Sequence, residues 1–90
     1  MEIIYKSEAL EDIKFWKKTG NIKIQQKISE LINDISQHPT TGMGKPEILK
    51  YDLSGWWSRR IDGKNRIVYR ILADGTIEVI QCGTHYNDES

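Results

Sequence analysis

Residues 66–83 read RIVYRILADGTIEVIQCG, and this stretch decides the fold. Side chains alternate on both sides of the Asp74-Gly75 pair, which is typical of two strands joined by a tight turn. Upstream, residues 57–61 form another short run that ends at Asp62-Gly63, a second turn signal. The second half of the chain is therefore predicted to be a three-stranded antiparallel meander, with its last strands at residues 66–71 and 76–83.

The beginning of the chain has a helical period instead. Leu10, Ile13 and Trp16 recur at spacings of three residues, as on one face of a helix. Ser7 is the candidate N-cap, and Gly20 is the candidate stop. This pattern predicts a first helix that follows a short strand at residues 2–5.

A second helix is predicted from near Asn21 to Pro39, because proline interrupts a helix. Its apolar stripe consists of Ile24, Ile28, Leu31, Ile32 and Ile35. The following segment, TTGMGKPEI, is predicted to be an irregular loop because it holds two glycines and a proline. The predicted order is β-α-α-β-β-β. The predicted class is α+β, with two N-terminal helices packed on one face of an antiparallel sheet that includes the first strand.

Length and composition predict a single soluble domain. The chain has 90 residues, of which 38% are hydrophobic and 29% charged, and neither figure is typical of a disordered or membrane protein. Cys82 is the single cysteine and cannot form an internal disulfide, so a cytoplasmic location is expected, with no membrane partner. We expect one domain over residues 1–86 and a short polar tail over 87–90.

Charge is distributed unevenly along the chain. The formal net charge is zero, yet residues 45–70 carry a net charge of +4. Such a segment is either a solvated face of the sheet or a surface for a polyanion such as RNA. Charge alone favours the solvated face.

Several kinds of chemistry lack support in the sequence. His38 and His85 are far apart and there is one cysteine, so neither a metal site nor a cofactor is implied. Ser54 lies outside any Gly-x-Ser-x-Gly elbow, and GMGKPE lacks the spacing of a phosphate-binding loop.

A polar constellation remains, drawn from the loop and the three strands: Glu47, Lys50, Arg59, Arg60, Arg66, His85 and Tyr86. In a meander, the end of the last strand lies beside the start of the preceding one, so His85 is expected near Arg66. A carboxylate, an imidazole and a guanidinium suit metal-free cleavage of RNA, in which a base activates the 2′-hydroxyl and an acid protonates the departing 5′ oxygen.

Each of these residues also has an ordinary structural explanation. Taken alone, Glu47 is better explained as a solvated loop acid, while His85 is also explained as a terminal surface residue and Arg66 as a turn cap or an ion-pair partner of Asp62. The adjacent Trp56 and Trp57 point to opposite faces of a strand, so one is expected in the core, and the other either stacks on a base or covers the helices.

Three strings then carry a specific resemblance: GKPEILKYDLSGWWSRRI at 44–61, NRIVYR at 65–70 and the terminal HY pair. They resemble the YoeB/Txe family of bacterial toxins, within the wider RelE/ParE superfamily. The resemblance runs from the first strand to Tyr86. It implies a microbial-ribonuclease-like (RelE-like) fold and a ribosome-dependent endoribonuclease of a type II toxin-antitoxin system.

The resemblance also implies individual roles. Glu47 would be the general base, Arg66 would stabilise the charge on the phosphate, His85 would be the general acid, and Tyr86 would orient the substrate. Basic positions that face messenger or ribosomal RNA fall on Lys50, Arg59 and Arg60.

The partners implied by the resemblance are messenger RNA in the A site of the 30S ribosomal subunit and a YefM/Axe-like antitoxin. Operator DNA would be bound only through the toxin-antitoxin complex, and a homodimer is left open. Two features depart from the family pattern: Gly83 stands where many relatives carry a basic residue, and residues 87–90 extend beyond the tyrosine. Alternative functions are a ParE-like gyrase poison and a non-catalytic module that binds antitoxin and operator.

Overall fold

Two layers, one of helices and one of strands, make up the computed structural model, which describes residues 2–84. The helices are α1 (Ser7–Thr19) and α2 (Ile22–Gln37). The strands are β1 (Ile3–Tyr5), β2 (Glu47–Ile48), β3 (Trp57–Arg60), β4 (Arg66–Ile71) and β5 (Ile77–Gly83), with one turn of 3-10 helix at Tyr51–Leu53. Among residues 2–84, no helix is long and apolar enough to cross a membrane.

The strands form one sheet in the order β1-β5-β4-β3-β2. Strand β1 runs parallel to β5, while the other neighbours are antiparallel. The predicted α+β class, with two helices on a sheet, is confirmed. The sheet is mixed rather than wholly antiparallel, because the helix pair forms the long crossover that a parallel pairing requires. Strand β2 was not predicted, since two residues are too few to show a period.

The core lies between the helix pair and one side of the sheet, which we call the inner face. Leu31 and Ile35 on α2 have no exposed surface, nor do Ile67 and Tyr69 on β4. The other buried members of this cluster are Ala9, Ile24, Ile28, Ile61, Ile77, Val79 and Cys82. The apolar stripe predicted for the second helix thus packs on the meander.

The helices begin and end where the sequence predicts, except at the start of α1. Gly20 ends α1 in the left-handed conformation at φ 72°, and the Asn21 side chain accepts a hydrogen bond at the start of α2, both as predicted. The N-cap of α1 is Lys6, not Ser7. The backbone N–H of Lys6 donates to the Val79 carbonyl at 2.8 Å, so the chain passes from the sheet into the helix one residue early.

Candidate active site

Strand β3 divides its side chains between the two faces of the sheet. Trp57 packs on the core and is half-buried, so Arg59 shares the inner face with it. Ser58 and Arg60 therefore lie on the opposite side, which we call the outer face. Glu47 pairs with Ser58 across β2 and β3, which places the carboxylate on the outer face as well.

Arg66 opens β4 on this same face. It is the Cα partner of Arg60 on β3 and of Gly83 on β5. Directly opposite side chains have Cβ atoms about 4.5 to 5.5 Å apart, and like charges at that separation destabilise a sheet. The register therefore places two guanidinium-bearing residues side by side on the outer face, the residue type that binds phosphate in two-pronged fashion.

Glu47 and Arg66 face the same region of the outer face. They are two strands apart and offset by two residues, so their Cα atoms are roughly 12 Å apart by ordinary strand spacings. Glu47 is exposed and Arg66 is half-buried. The separation allows the two side chains to approach one phosphodiester from different sides.

Glu47 is held on a strand, whereas the sequence predicted a loop position for it. The preceding Gly44 accepts a hydrogen bond from the Arg60 backbone N–H at 2.7 Å. Gly44 has φ 77°, and a Cβ there would lie 2.9 Å from Leu31 Cδ2. Only glycine allows this approach, so the loop is fixed against β3 before Glu47 begins β2.

Arg59 is fully buried, with an exposed fraction of 0%. Its Nη1 donates to Asp34 Oδ2 at 2.6 Å, and its Nε donates to the Tyr69 hydroxyl at 3.1 Å. Its Nη1 and Nη2 also donate to backbone carbonyls of the loop, those of His38, Thr41 and Met43. This arginine joins α2, β4 and the loop, and it has no surface for RNA. The predicted RNA contact at Arg59 is therefore not supported.

Asp34, which is partly buried, completes the set of groups that surround Arg59. Hydrogen bonding from Arg59, followed by that from the Met43 backbone, lowers the pKa of Asp34 below its ordinary value. Asp34 Oδ2 accepts from the Met43 N–H at 3.1 Å. The Tyr69 hydroxyl donates to the Pro39 carbonyl at 2.6 Å, and burial raises the pKa of Tyr69. The glycine-rich loop is thus tied down before it reaches the outer face.

Lys50 is exposed, as its predicted role requires, and the next residue is a feature that the sequence did not reveal. Tyr51 is 81% exposed and adopts φ 61°, a left-handed conformation that is uncommon for a residue with a Cβ. The turn is closed by a hydrogen bond from the Ser54 N–H to the Tyr51 carbonyl at 3.0 Å. An aromatic ring beside a lysine is a combination that single-stranded nucleic acids bind.

The two tryptophans lie on different faces, as predicted. Trp57 packs on the core. The Arg70 Cζ lies 4.7 Å from the ring centroid of Trp56, and Arg70 Nε donates to Glu78 Oε1 at 2.8 Å. One face of the Trp56 ring is therefore occupied by a cation–π contact.

The proposed acid, His85, and its neighbour Tyr86 lie outside the described residues. Strand β5 ends at Gly83, the residue in register with Arg66, two positions before His85. Within residues 2–84, no group of three or more His, Cys, Asp or Glu side chains is placed to hold a metal ion.

The fold defines the class of protein first. YafQ from Escherichia coli strain BL21(DE3) shares it, with a TM-score of 0.75 at 20% identity over 93% of this chain and 92% of that one. The family model for the YoeB-like toxin of bacterial type II toxin-antitoxin systems matches residues 5–86. The chain belongs to this YoeB-like toxin family, a part of the RelE/ParE superfamily.

Individual relatives agree with this assignment. The chain is 42% identical to Toxin YoeB of Escherichia coli K12 over 86 residues, covering 96% of this chain and all of the relative. A YoeB/ParE toxin from Agrobacterium tumefaciens superposes with a TM-score of 0.89 at 40% identity, over 96% and 100% of the two chains. The toxin in a heterotetrameric YoeB-YefM complex from Staphylococcus aureus gives a TM-score of 0.84 at 37% identity, over 96% and 98%.

Proposed function

We propose that this toxin is a cytoplasmic endoribonuclease that cleaves messenger RNA in the ribosomal A site and so inhibits translation. The observation that carries the proposal is the strand register, which supports a shared site for Glu47, Arg60 and Arg66 on the outer face. Membership of the YoeB-like family gives it independent support.

The proposed reaction needs no cofactor and no metal ion, because the nucleophile is the 2′-hydroxyl of the substrate itself. Glu47 takes the proton of that hydroxyl, and the oxygen attacks the adjacent phosphorus. The bond from phosphorus to the 5′ oxygen breaks, His85 gives that oxygen a proton, and a 2′,3′-cyclic phosphate remains. Arg66 stabilises the negative charge on the phosphorane, and Tyr86 orients the substrate.

Lys50, Arg60 and Tyr51 would hold the RNA around this centre. Lys50 and Arg60 are exposed and lie near the ends of β2 and β3. They would contact messenger or ribosomal phosphates, while the exposed Tyr51 ring would stack on a base. The ribosome would complete the site by positioning the message, so cleavage of free RNA is expected to be much slower than cleavage on the ribosome.

The proposed partner in the resting cell is a YefM/Axe-like antitoxin. The support is the Staphylococcus aureus YoeB-YefM complex, whose toxin resembles this chain. Operator DNA would be bound only by the toxin-antitoxin complex. A homodimer of the free toxin is proposed from the Staphylococcus aureus YoeB dimer, with a TM-score of 0.83 at 37% identity.

Mapping the ends of messenger fragments after induced expression tests the function. We expect cuts in or beside A-site codons and arrested growth. Glu47→Gln and His85→Gln should each lower cleavage by about 10²- to 10⁴-fold, since each removes a proton-transfer group, and should restore growth.

Glu30→Gln on α2 and His38→Gln at its end are matched controls, because they make the same chemical changes at exposed positions away from the outer face. Both should cleave as the native toxin does. Intact messenger during growth arrest would contradict the proposal and favour a gyrase poison. The absence of arrest by native toxin would favour a binding module.

A further inference from the structure

Two side chains of helix α1 form hydrogen bonds with the backbone of one residue near the end of β5, Cys82. The Cys82 N–H donates to Asp12 Oδ2 at 2.8 Å, and the Cys82 carbonyl accepts from Trp16 Nε1 at 2.7 Å. Asp12 and Trp16 are four residues apart, so they lie on one face of α1. Asp12 is only 6% exposed. Both polar groups of the Cys82 backbone are thus held from the same helix.

The position of this contact in the sheet explains why side chains are needed there. Strand β1 covers β5 only from Ile77 to Val79, so within residues 2–84 no strand pairs with the β1 side of β5 beyond that point. Asp12 and Trp16 take the place of the missing strand at Cys82. Without them, a buried N–H and C=O would lose hydrogen-bond partners.

The contact extends to the next residue along β5. A Cβ at Gly83 would lie 3.4 Å from Asp12 Cγ, so the carboxylate lies directly against the backbone of Gly83. Gly83 is in register with Arg66. Burial, followed by the Asp12 charge, raises the pKa of Cys82 to about 12, which keeps the thiol neutral. Helix α1 therefore contacts the backbone at the end of β5, and the Cys82 thiol is not a reactive group.

We infer that Asp12 and Trp16 are positioning residues, which fix the backbone of Cys82 and Gly83 at the end of β5, beside Arg66 and shortly before the proposed acid, His85, in the sequence. The inference rests on the proposed function. Neither side chain touches substrate; both act through the backbone at Cys82 and Gly83. Their loss should therefore lower the rate of the chemical step while leaving the binding of the ribosome unchanged.

The test is single-turnover cleavage of message on purified ribosomes at several toxin concentrations, with rates corrected for the folded fraction. Asp12→Ala removes the acceptor for the Cys82 N–H, and we expect the maximal rate to fall by at least about tenfold with an unchanged half-saturating concentration. Asp12→Asn keeps a side-chain oxygen of the same shape and should recover most of the rate. Trp16→Phe removes the donor to the Cys82 carbonyl together with part of the ring, and per folded molecule it should lose about threefold by the same misplacement.

Ala9→Gly is the matched control. Ala9 is fully buried on α1, so the variant loosens the same helix while it keeps both Asp12 and Trp16. It should lower the melting temperature and leave the rate per folded molecule unchanged. Native maximal rates in Asp12→Ala would overturn the inference.

Amide hydrogen exchange tests the positioning without relying on cleavage. In Asp12→Ala and Trp16→Phe, exchange at Gly83 and Thr84 should be at least about tenfold faster than in Ala9→Gly at equal global stability. Equal exchange in all three would overturn the inference whatever the activity. The proposed function is tested separately by His85→Gln. If this variant cleaves messenger RNA as fast as the native toxin does, the proposed function fails, but the hydrogen-exchange result at the end of β5 is unaffected.

Discussion

Arg59 and Arg60 are adjacent in sequence but occupy opposite environments. Arg59 on the inner face is fully buried and donates to five oxygens from α2, β4 and the loop. Arg60 on the outer face is exposed and lies opposite Arg66. Alternation along a strand is enough to separate them, so one arginine holds the structure and the other is available to a ligand.

The largest expected effect comes from the buried arginine. Arg59→Met removes the cation beside Asp34 and a donor to several backbone carbonyls, and breaking such a charged network around a fully buried arginine costs about 3 to 5 kcal/mol. Urea unfolding at neutral pH should show this loss in the free energy of unfolding. Arg60→Met is the control and should stay within about 0.5 kcal/mol of the native value. Equal stability of the two variants would break the comparison.

The next largest effect on stability is expected in the glycine-rich loop, whose carbonyls accept hydrogen bonds from Arg59. Gly44→Ala places a Cβ 2.9 Å from Leu31 Cδ2 at a positive φ, so we expect a loss of about 1 to 3 kcal/mol. Gly63→Ala is the matched control, since nothing lies within 4 Å of a Cβ there. Thermal unfolding of both variants measures the change in stability. If Gly44→Ala is as stable as the native protein, the conformation of the loop does not depend on its close approach to β3.

On the outer face the effect should appear in activity and leave stability unchanged. Arg60→Met removes one of two opposed cations, so ribosome-dependent cleavage should fall by about tenfold, the value of a single charged phosphate contact. The dependence of cleavage on salt should also weaken. Cleavage by Arg60→Met at the native rate and salt dependence would remove Arg60 from the proposed RNA surface.

The smallest effect concerns pH. Because Arg59 lowers the pKa of Asp34 in the folded state, the carboxylate stabilises the fold above its unfolded pKa, and this contribution is lost as pH falls through the lower folded value. The stability difference between native toxin and Asp34→Asn should therefore be greatest near pH 7 and shrink below about pH 4.

The control repeats the Asp34→Asn substitution in the Arg59→Met variant, in which Asp34 no longer has the arginine as its partner. There, Asp34→Asn should change stability little across the same pH range, as long as the Arg59→Met protein remains folded at the start of each titration. An equal pH dependence in both backgrounds would mean that Arg59 is not what holds the Asp34 pKa down.

Local sequence predicted the elements whose signals are local. The 3.6-residue stripe gave α2, Gly20 and Asn21 marked the boundary between the helices, and alternation gave β3, β4 and β5. Strand β2 was missed because its two residues owe their conformation to pairing with β3, which no local pattern records. Ser7 was chosen as N-cap because its side chain suits that position, but pairing of Lys6 with β5 set the helix start.

For the candidate site, the sequence by itself proposed Glu47, Arg66, His85 and Tyr86 for RNA cleavage, from the chemistry of their side chains and from the family resemblance. Only tertiary structure decided which basic residues are available. Two consecutive arginines look alike in a string, and a partly buried carboxylate 25 positions away, Asp34, makes one of them structural. The hydrogen bond between Asp12 and the Cys82 N–H joins residues 70 positions apart and was not predicted either. Such a bond between a helix and a strand edge depends on tertiary packing and not on the spacing of residues in the sequence.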